Sequence, residues 1–224
     1  MFGPWDARKV ISWVAMSRIS PWIAIGLYAI LLDSHAATAA EFQCPSGTAV
    51  HGVPPPEGAK AWCELADGTQ QGPSLAWYEV DRPKAEAHFD GGKLHGVFRL
   101  WHANGQLAEE GNYTADQRHG IFSTWDEEGV QLLEQNFANG KRNGVMKRWF
   151  PSGQLQFSEN YIDGEKDGPA VAYFENGQKE AEGAFRKGNF HGTWTGWYPN
   201  GSKRKVAEFI NGDRVAIENF PEEW

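Results

Sequence analysis

The sequence predicts an all-β protein: an elongated antiparallel β-meander of about six 24-residue hairpin repeats in an open single sheet. Three observations predict this fold class. Glycine recurs with a 24-residue period, an aromatic residue follows each of these glycines at a fixed distance, and a further glycine turn divides each repeat. The chain of 224 residues also contains 26 glycines and 11 tryptophans. This composition favours many turns and repeated aromatic packing over long helices.

The repeat is defined by columns of equivalent residues. The repeat glycines are Gly72, Gly96, Gly120, Gly144, Gly168 and Gly192. Five residues after each comes an aromatic: Trp77, Trp101, Trp125, Trp149, Tyr173 and Trp197. Seventeen residues after each comes another: Phe89, Tyr113, Phe137, Tyr161, Phe185 and Phe209. The columns stay in register over six units, which indicates a repeat array over residues 72–212.

Each repeat is expected to contain two short strands. Residues 97–102 suit a strand and end at Asn104-Gly105, a pair that supplies the positive φ of tight hairpin turns. Strands about every 12 residues with glycine turns between them predict a meander. Gly111 and Gly183 share a repeat position, where a small residue allows a cross-strand aromatic ring to lie flat.

The N-terminal 40 residues are expected to be a signal peptide. Basic residues precede an apolar run over residues 21–32, and small residues follow at 34–40. The alternative is an uncleaved anchor over residues 11–32, although the apolar run is shorter than the roughly 20 residues of a membrane-spanning helix. Localisation is therefore predicted to be the periplasm, the outer surface or the medium of a bacterium.

Export gives a role to the two cysteines, Cys44 and Cys63. In an oxidising compartment they are expected to form a disulfide, worth about 3 kcal/mol for a loop of this size. Two free thiols or half of a metal site is the alternative. The disulfide segment 41–71 is placed to cap the first repeat, and residues 213–224 to cap the last, with Phe220 and Trp224 as apolar plugs.

Charge and motifs exclude several function classes. The formal net charge of -8 disfavours nucleic acid and anionic membrane surfaces as partners. His95, His119 and His191 share a repeat position, but repeats about 10 Å apart are too distant to share one metal ion. No catalytic residue, cofactor site or metal site is predicted, and the chain is not expected to be an enzyme.

The unit at residues 96–119 resembles the MORN repeat in its bacterial variant form. Residues 168–191 and 192–212 follow the same pattern closely, and 72–95, 120–143 and 144–167 follow it more loosely. Bacterial proteins of this kind are often labelled YwqK-like antitoxins. The resemblance implies an open β-meander that mediates contacts and has no chemistry of its own.

The predicted function is a non-catalytic repeat scaffold for protein–protein interaction in the cell envelope or outside the cell. The column Trp77, Trp101, Trp125, Trp149, Tyr173 and Trp197 is the candidate binding strip, together with exposed strand edges. Carbohydrate or cell-wall binding through the same rings is one alternative, so a glycan is a possible ligand. An antitoxin- or immunity-like protein is another. The partner itself is not identified by the sequence.

Overall fold

The computed structural model describes residues 42–222, so the expected signal peptide at 1–40 and Trp224 lie outside the described residues. The chain forms two compact units that meet in sequence at Gly105 and Gln106. The first unit contains the strands β1 Ala49–Val53, β2 Lys60–Glu64, β3 Gln70–Glu79, β4 Arg82–Asp90 and β5 Lys93–Trp101.

The second unit continues the hairpin pattern. Its strands are β6 Leu107–Thr114, β7 Gln117–Trp125, β8 Gln131–Ala138, β9 Lys141–Trp149, β10 Leu155–Ile162, β11 Glu165–Tyr173, β12 Lys179–Arg186, β13 Asn189–Trp197, β14 Lys203–Ile210 and β15 Asp213–Asn219. In each unit the strands follow one another in chain order, and each described pair is antiparallel. The prediction of an all-β antiparallel meander of 24-residue repeats is confirmed. The described part of the chain has no helix that is long and apolar enough to cross a membrane.

The repeat glycines lie inside strands, at bulges in the sheet. Gly144 in β9 has a φ of 111° and Gly168 in β11 has a φ of 110°, backbone conformations that side chains rarely adopt. The pairing register shifts next to these glycines, for example between Gln135 and Phe137 of β8, opposite β9. Each repeat therefore carries a bulge at the same place, which re-aims the strand in the same way.

The hairpin turn inside each repeat differs in one respect from the expectation. In the turn at 174–177, only Gly177 has a positive φ (84°), and its N–H donates to the carbonyl of Phe174 over 2.9 Å. Asn176 instead uses its side chain, whose Oδ1 accepts the N–H of Gln178 at 3.0 Å. The Asn-Gly pair thus makes a four-residue turn with one left-handed glycine, since the asparagine contributes a side-chain hydrogen bond that organises the loop.

The turn between repeats is the one in which two residues have positive φ. Asn139 and Gly140 have φ values of 50° and 78°, as a two-residue type I′ hairpin turn requires. The N–H of Gly140 also donates to the carbonyl of Arg118 at the start of β7, over 2.9 Å. Equivalent bonds follow one repeat later, from Gly164 to Arg142, and again at Gly188 and Gly212. Within the second unit, these bonds tie each turn to the preceding repeat.

In the first unit a hydrophobic cluster lies against the N-terminal segment. Ala61, Leu75 and Trp77 are buried together, and Phe42 packs against them. The predicted disulfide between Cys44 and Cys63 is present, with the two Cα atoms 5.6 Å apart. It fixes the segment that carries Phe42 to strand β2.

The turn between β6 and β7 differs from the other described turns in having two consecutive non-glycine residues with positive φ. Ala115 and Asp116 have φ values of 49° and 69°, although neither is glycine. A non-glycine residue in this region costs roughly 1–2 kcal/mol. Glycine avoids this cost, but its greater freedom in the unfolded chain offsets part of the gain in stability.

We therefore expect Asp116→Gly to stabilise the protein by about 1 kcal/mol, measured by urea unfolding. The reciprocal control is Gly140→Asp at the equivalent position, which is expected to destabilise by a similar amount. Equal signs for the two substitutions would contradict this account.

Candidate functional site

The six rings of the predicted binding strip differ in their exposure. Trp77 is 3% exposed and belongs to the core of the first unit, so it is not accessible to a ligand. Trp101, in the same unit, is half-buried.

The other four rings of the column lie on one face of the second unit, here called the tryptophan face. All four are half-buried: Trp125, Trp149, Tyr173 and Trp197. The pairing register shifts beside each of these rings, at the end of its strand. Two ion pairs lie on the same face as these rings. Lys147 lies 3.6 Å from Glu134, and Lys179 pairs with Glu182 while its Nζ stands 5.7 Å from the centre of the Trp197 ring. This face therefore combines half-buried rings with neutralised charges.

The opposite face, here called the phenylalanine face, holds the apolar core of the second unit. Its rings include Phe122 and Phe137, which meet edge to face at 5.3 Å. Cationic side chains cover the rings: the guanidinium of Arg118 is 4.8 Å from the Phe122 centroid, and Nζ of Lys166 is 4.8 Å from that of Phe185. Burial raises the pKa of Glu109, and the nearby Arg118 opposes this rise. Rings, cations and carboxylates are paired along this part of the face.

The Gly111 and Gly183 prediction is confirmed on the phenylalanine face. A Cβ added to Gly111 would lie 2.3 Å from the Phe122 ring, and one added to Gly183 would lie 2.2 Å from the Trp194 ring. Both rings lie flat over the glycine backbone. The indole Nε1 of Trp194 donates to the carbonyl of Ala184 over 2.9 Å, which fixes that ring in place.

A groove opens on the phenylalanine face between β12 and β15, with a volume of about 310 Å³. Its floor is the cross-strand pair Ala181 and Gly196. Earlier repeats fill this position with larger side chains, since Leu133 pairs with Arg148 in the same columns. The groove therefore exists because the last repeats have lost side-chain volume at one site.

Aromatic rings form the wall of this groove. Phe190 contacts both Trp194 and Phe209, and the distances between ring centres are 4.8 Å and 5.1 Å. Phe190 stands in the column that holds Arg118, Arg142 and Lys166 in earlier repeats, and it is 42% exposed. A ring thus replaces the covering cation and leaves apolar surface accessible.

Cations gather at the rim of the groove. Arg204 and Lys205 are consecutive residues, which in a regular strand would point to opposite faces. The register shift between the pairs of Gly196 and Trp197 leaves Arg204 as an extra residue, and both side chains line the groove. Both also approach Gly196, where an added Cβ would be 3.3 Å from Cγ of Lys205 and 3.6 Å from a terminal nitrogen of Arg204. The backbone bulge therefore concentrates positive charge on one side.

Two further ionisable groups, Arg214 and Glu180, line the same groove, so three cations face one carboxylate. The Nε atom of Arg204 is buried and has no hydrogen-bond partner among the described residues. A buried donor without an acceptor is costly to the fold.

The last strand, β15, offers a second surface. Each of its residues is exposed, including Val215 at 55% and Ile217 at 45%. It pairs with β14, and within the described residues 106–222 no strand pairs with its other edge. Phe220, just beyond the strand, is half-buried and donates its N–H to the carbonyl of Arg204 over 2.9 Å. Within the predicted C-terminal cap at 213–224, residues Asp213–Asn219 form this strand.

The groove residues were not singled out by the sequence. Alternation places Arg204 and Lys205 on opposite faces, and only the bulge brings them together. The repeat alignment did contain a signal for the groove. Gly196 is smaller than its equivalent Arg148, and Ala181 is smaller than its equivalent Phe157. Over residues 42–222, no group of three or more histidine, cysteine, aspartate or glutamate side chains is placed to hold a metal ion.

Comparison with known protein families assigns the repeats. The sequence model described as "MORN repeat variant" matches residues 94–115, 142–163 and 190–211. The chain contains MORN-variant repeats. The matched segments amount to less than a third of the chain, and the second falls in a unit that follows the pattern only loosely. The third match covers all of strand β14 and all but the first residue of β13, and these two strands form much of the groove.

No curated protein matches the chain. Among solved structures, the chain is similar to one described as "Crystal structure of GtfA/B complex bound to UDP and GlcNAc". The identity is 13% and the TM-score is 0.21, and the match covers 69% of this chain and 27% of that one. The chain thus spans about a quarter of the length of that protein.

The flat ring over Gly183 leads to a stability test of the MORN-variant repeat. Gly183→Ala places a methyl group inside the Trp194 ring, so we expect a loss of roughly 1–3 kcal/mol in the free energy of unfolding. In a Trp194→Ala background the clash is absent, and the same substitution is expected to be neutral or stabilising by up to about 1 kcal/mol because alanine is less flexible than glycine. Urea unfolding of the four proteins in this double-mutant cycle measures the coupling. Equal effects in both backgrounds would show that the ring does not set the requirement for glycine.

Proposed function

We propose that this chain is a non-catalytic scaffold that binds a partner protein in the cell envelope or outside the cell. The open edge of β15 is the observation that carries this proposal. A strand with free backbone N–H and C=O groups along one edge is a template for an added strand, a common mode of peptide recognition. The exposed Val215 and Ile217 add apolar contact area beside that edge.

The MORN-variant repeats support the same function. Their fixed positions are turn glycines and packing rings, which build a surface without supplying a nucleophile, a general base or a metal ligand set. The groove beside β15 adds a concave, cation-rimmed surface to the edge. Binding through backbone hydrogen bonds combined with side-chain pockets gives both affinity and selectivity.

Location outside the cytoplasm is part of this proposal. The disulfide between Cys44 and Cys63 supports it, because such bonds persist in oxidising compartments and are rare in the cytosol. The signal-like pattern of residues 1–40 gives independent support from the sequence.

The test is an affinity capture with the tagged chain from the envelope fraction of the producing cell, after mild crosslinking, read by mass spectrometry. We expect one dominant protein partner. Val215→Lys places a charge at the open edge and is expected to reduce capture by about tenfold or more. Ile121→Lys is the matched control, since Ile121 is 53% exposed on β7, which is paired on both edges, and the substitution is expected to leave capture unchanged.

Two results would contradict the proposal. Equal capture by the parent chain and by Val215→Lys would remove the role of the β15 edge. Enrichment of glycan or peptidoglycan without a protein partner would favour the tryptophan face as a carbohydrate-binding surface instead, because tryptophan rings are suited to stacking on sugar rings.

A further inference from the structure

We propose that the groove between β12 and β15 binds an aromatic side chain flanked by carboxylates on a peptide segment of the partner protein. This inference rests on the proposed function and deepens it, because it states the chemistry of the partner. Three features of the groove support it: small side chains leave space, aromatic rings are exposed, and cations outnumber carboxylates.

The size of the groove limits the ligand. Its volume of about 310 Å³ lies at the lower end of the roughly 300–1,000 Å³ range of ligand pockets. The space holds one large side chain and its immediate neighbours, and it is too small for several large side chains at once. The floor of Ala181 and Gly196 is flat and apolar, and the wall of Phe190, Trp194 and Phe209 is aromatic. A guest ring would extend the edge-to-face contacts that these rings already make with one another.

The charge of the rim determines the flanking groups. Arg204, Lys205 and Arg214 line the groove with Glu180 as the acid among the lining residues. This local excess contrasts with the formal net charge of -8 for the whole chain. Elsewhere on the phenylalanine face, cations have their own partners: Arg142 donates to Gln135 over 2.8 Å, and Lys166 lies 2.6 Å from Glu159. The cations of the groove are therefore placed to meet carboxylates from outside.

The neighbouring strand edge favours a peptide over other anions. Ile217 of β15 lines the groove, so the concavity opens beside the unpaired edge of that strand. An extended segment that reaches this edge has a side-chain pocket directly beside its path. A nucleic acid meets the same three cations but is repelled by the acidic remainder of the chain.

The experiment measures binding of fluorescent peptides to the full chain by anisotropy at low and high salt. The probe is a blocked Asp-Glu-Trp-Glu-Asp peptide. Its controls are Asn-Gln-Trp-Gln-Asn, which lacks charge, and Asp-Glu-Ala-Glu-Asp, which lacks the ring. We expect binding of the probe alone, with affinity falling as salt screens the charges.

Variants of the groove separate site binding from general attraction. Ala181→Phe introduces the residue that Phe157 supplies in an earlier repeat, so it fills the groove in a fold-compatible way and is expected to weaken binding by at least tenfold. Arg204→Gln and Arg214→Gln are each expected to weaken it about fivefold. Lys203→Gln is the control, since this exposed residue of β14 does not line the groove and carries the same charge. It is expected to change affinity less than twofold.

Several outcomes would overturn the inference. The probe peptide could fail to bind, or the uncharged peptide could bind as tightly as the probe. Lys203→Gln and Arg204→Gln could lose the same amount of affinity, or free indole-3-acetate could bind as tightly as the probe. Binding that appears only after removal of residues 222–224 would identify the acidic end of this chain as the occupant. Because purified peptide binding and partner capture are separate readouts, a missing cellular partner would contradict the proposed function and leave the groove result standing.

Discussion

The fixed count of 24 residues per repeat is the constraint on which the rest of the structure depends. Side chains alternate between faces along a strand, so a gain or loss of one residue exchanges the two faces of the sheet. Each repeat keeps its count with two devices: the bulge at a glycine such as Gly144, and the two-residue turn at positions such as Asn139-Gly140. The bond from the turn glycine to the preceding repeat then fixes neighbouring repeats in register. All packing on both faces follows from this register.

The same constraint explains how a binding surface arises from a scaffold. With the backbone held constant, a substitution in one column alters one place on one face. The change from Arg148 and Phe157 to Gly196 and Ala181 removes volume, and the change from Lys166 to Phe190 replaces a covering cation by an exposed ring. The bulge that places Arg204 beside Lys205 adds the charge. These substitutions at fixed columns, together with an arginine where the preceding repeat has Glu180 at the recurring bulge, produce a groove without any change in topology.

The sequence predicted the features that depend on short-range rules. Glycine spacing predicted the hairpins, the two cysteines predicted the disulfide, and the small residues at Gly111 and Gly183 predicted flat cross-strand rings. The binding strip was less predictable, because Trp77 lies in a buried cluster with Ala61 and Leu75, and Phe42 from the N-terminal segment packs against that cluster. The groove was missed for a related reason. Alternation rules separate Arg204 from Lys205, and a bulge is visible only once strands are paired.

The most direct test of the account is amide hydrogen exchange over residues 179–219 in a variant that lacks residues 144–167, one whole repeat. If the repeat count sets the register, this variant keeps the protection pattern of β12–β15 seen in the full chain, because the junction restores every column. A variant that lacks only residues 144–166 keeps one residue too many for the repeat count, and it is expected to lose protection there because its side chains face the wrong way. Equal protection in both deletions, or its loss in the whole-repeat deletion, would contradict the central claim.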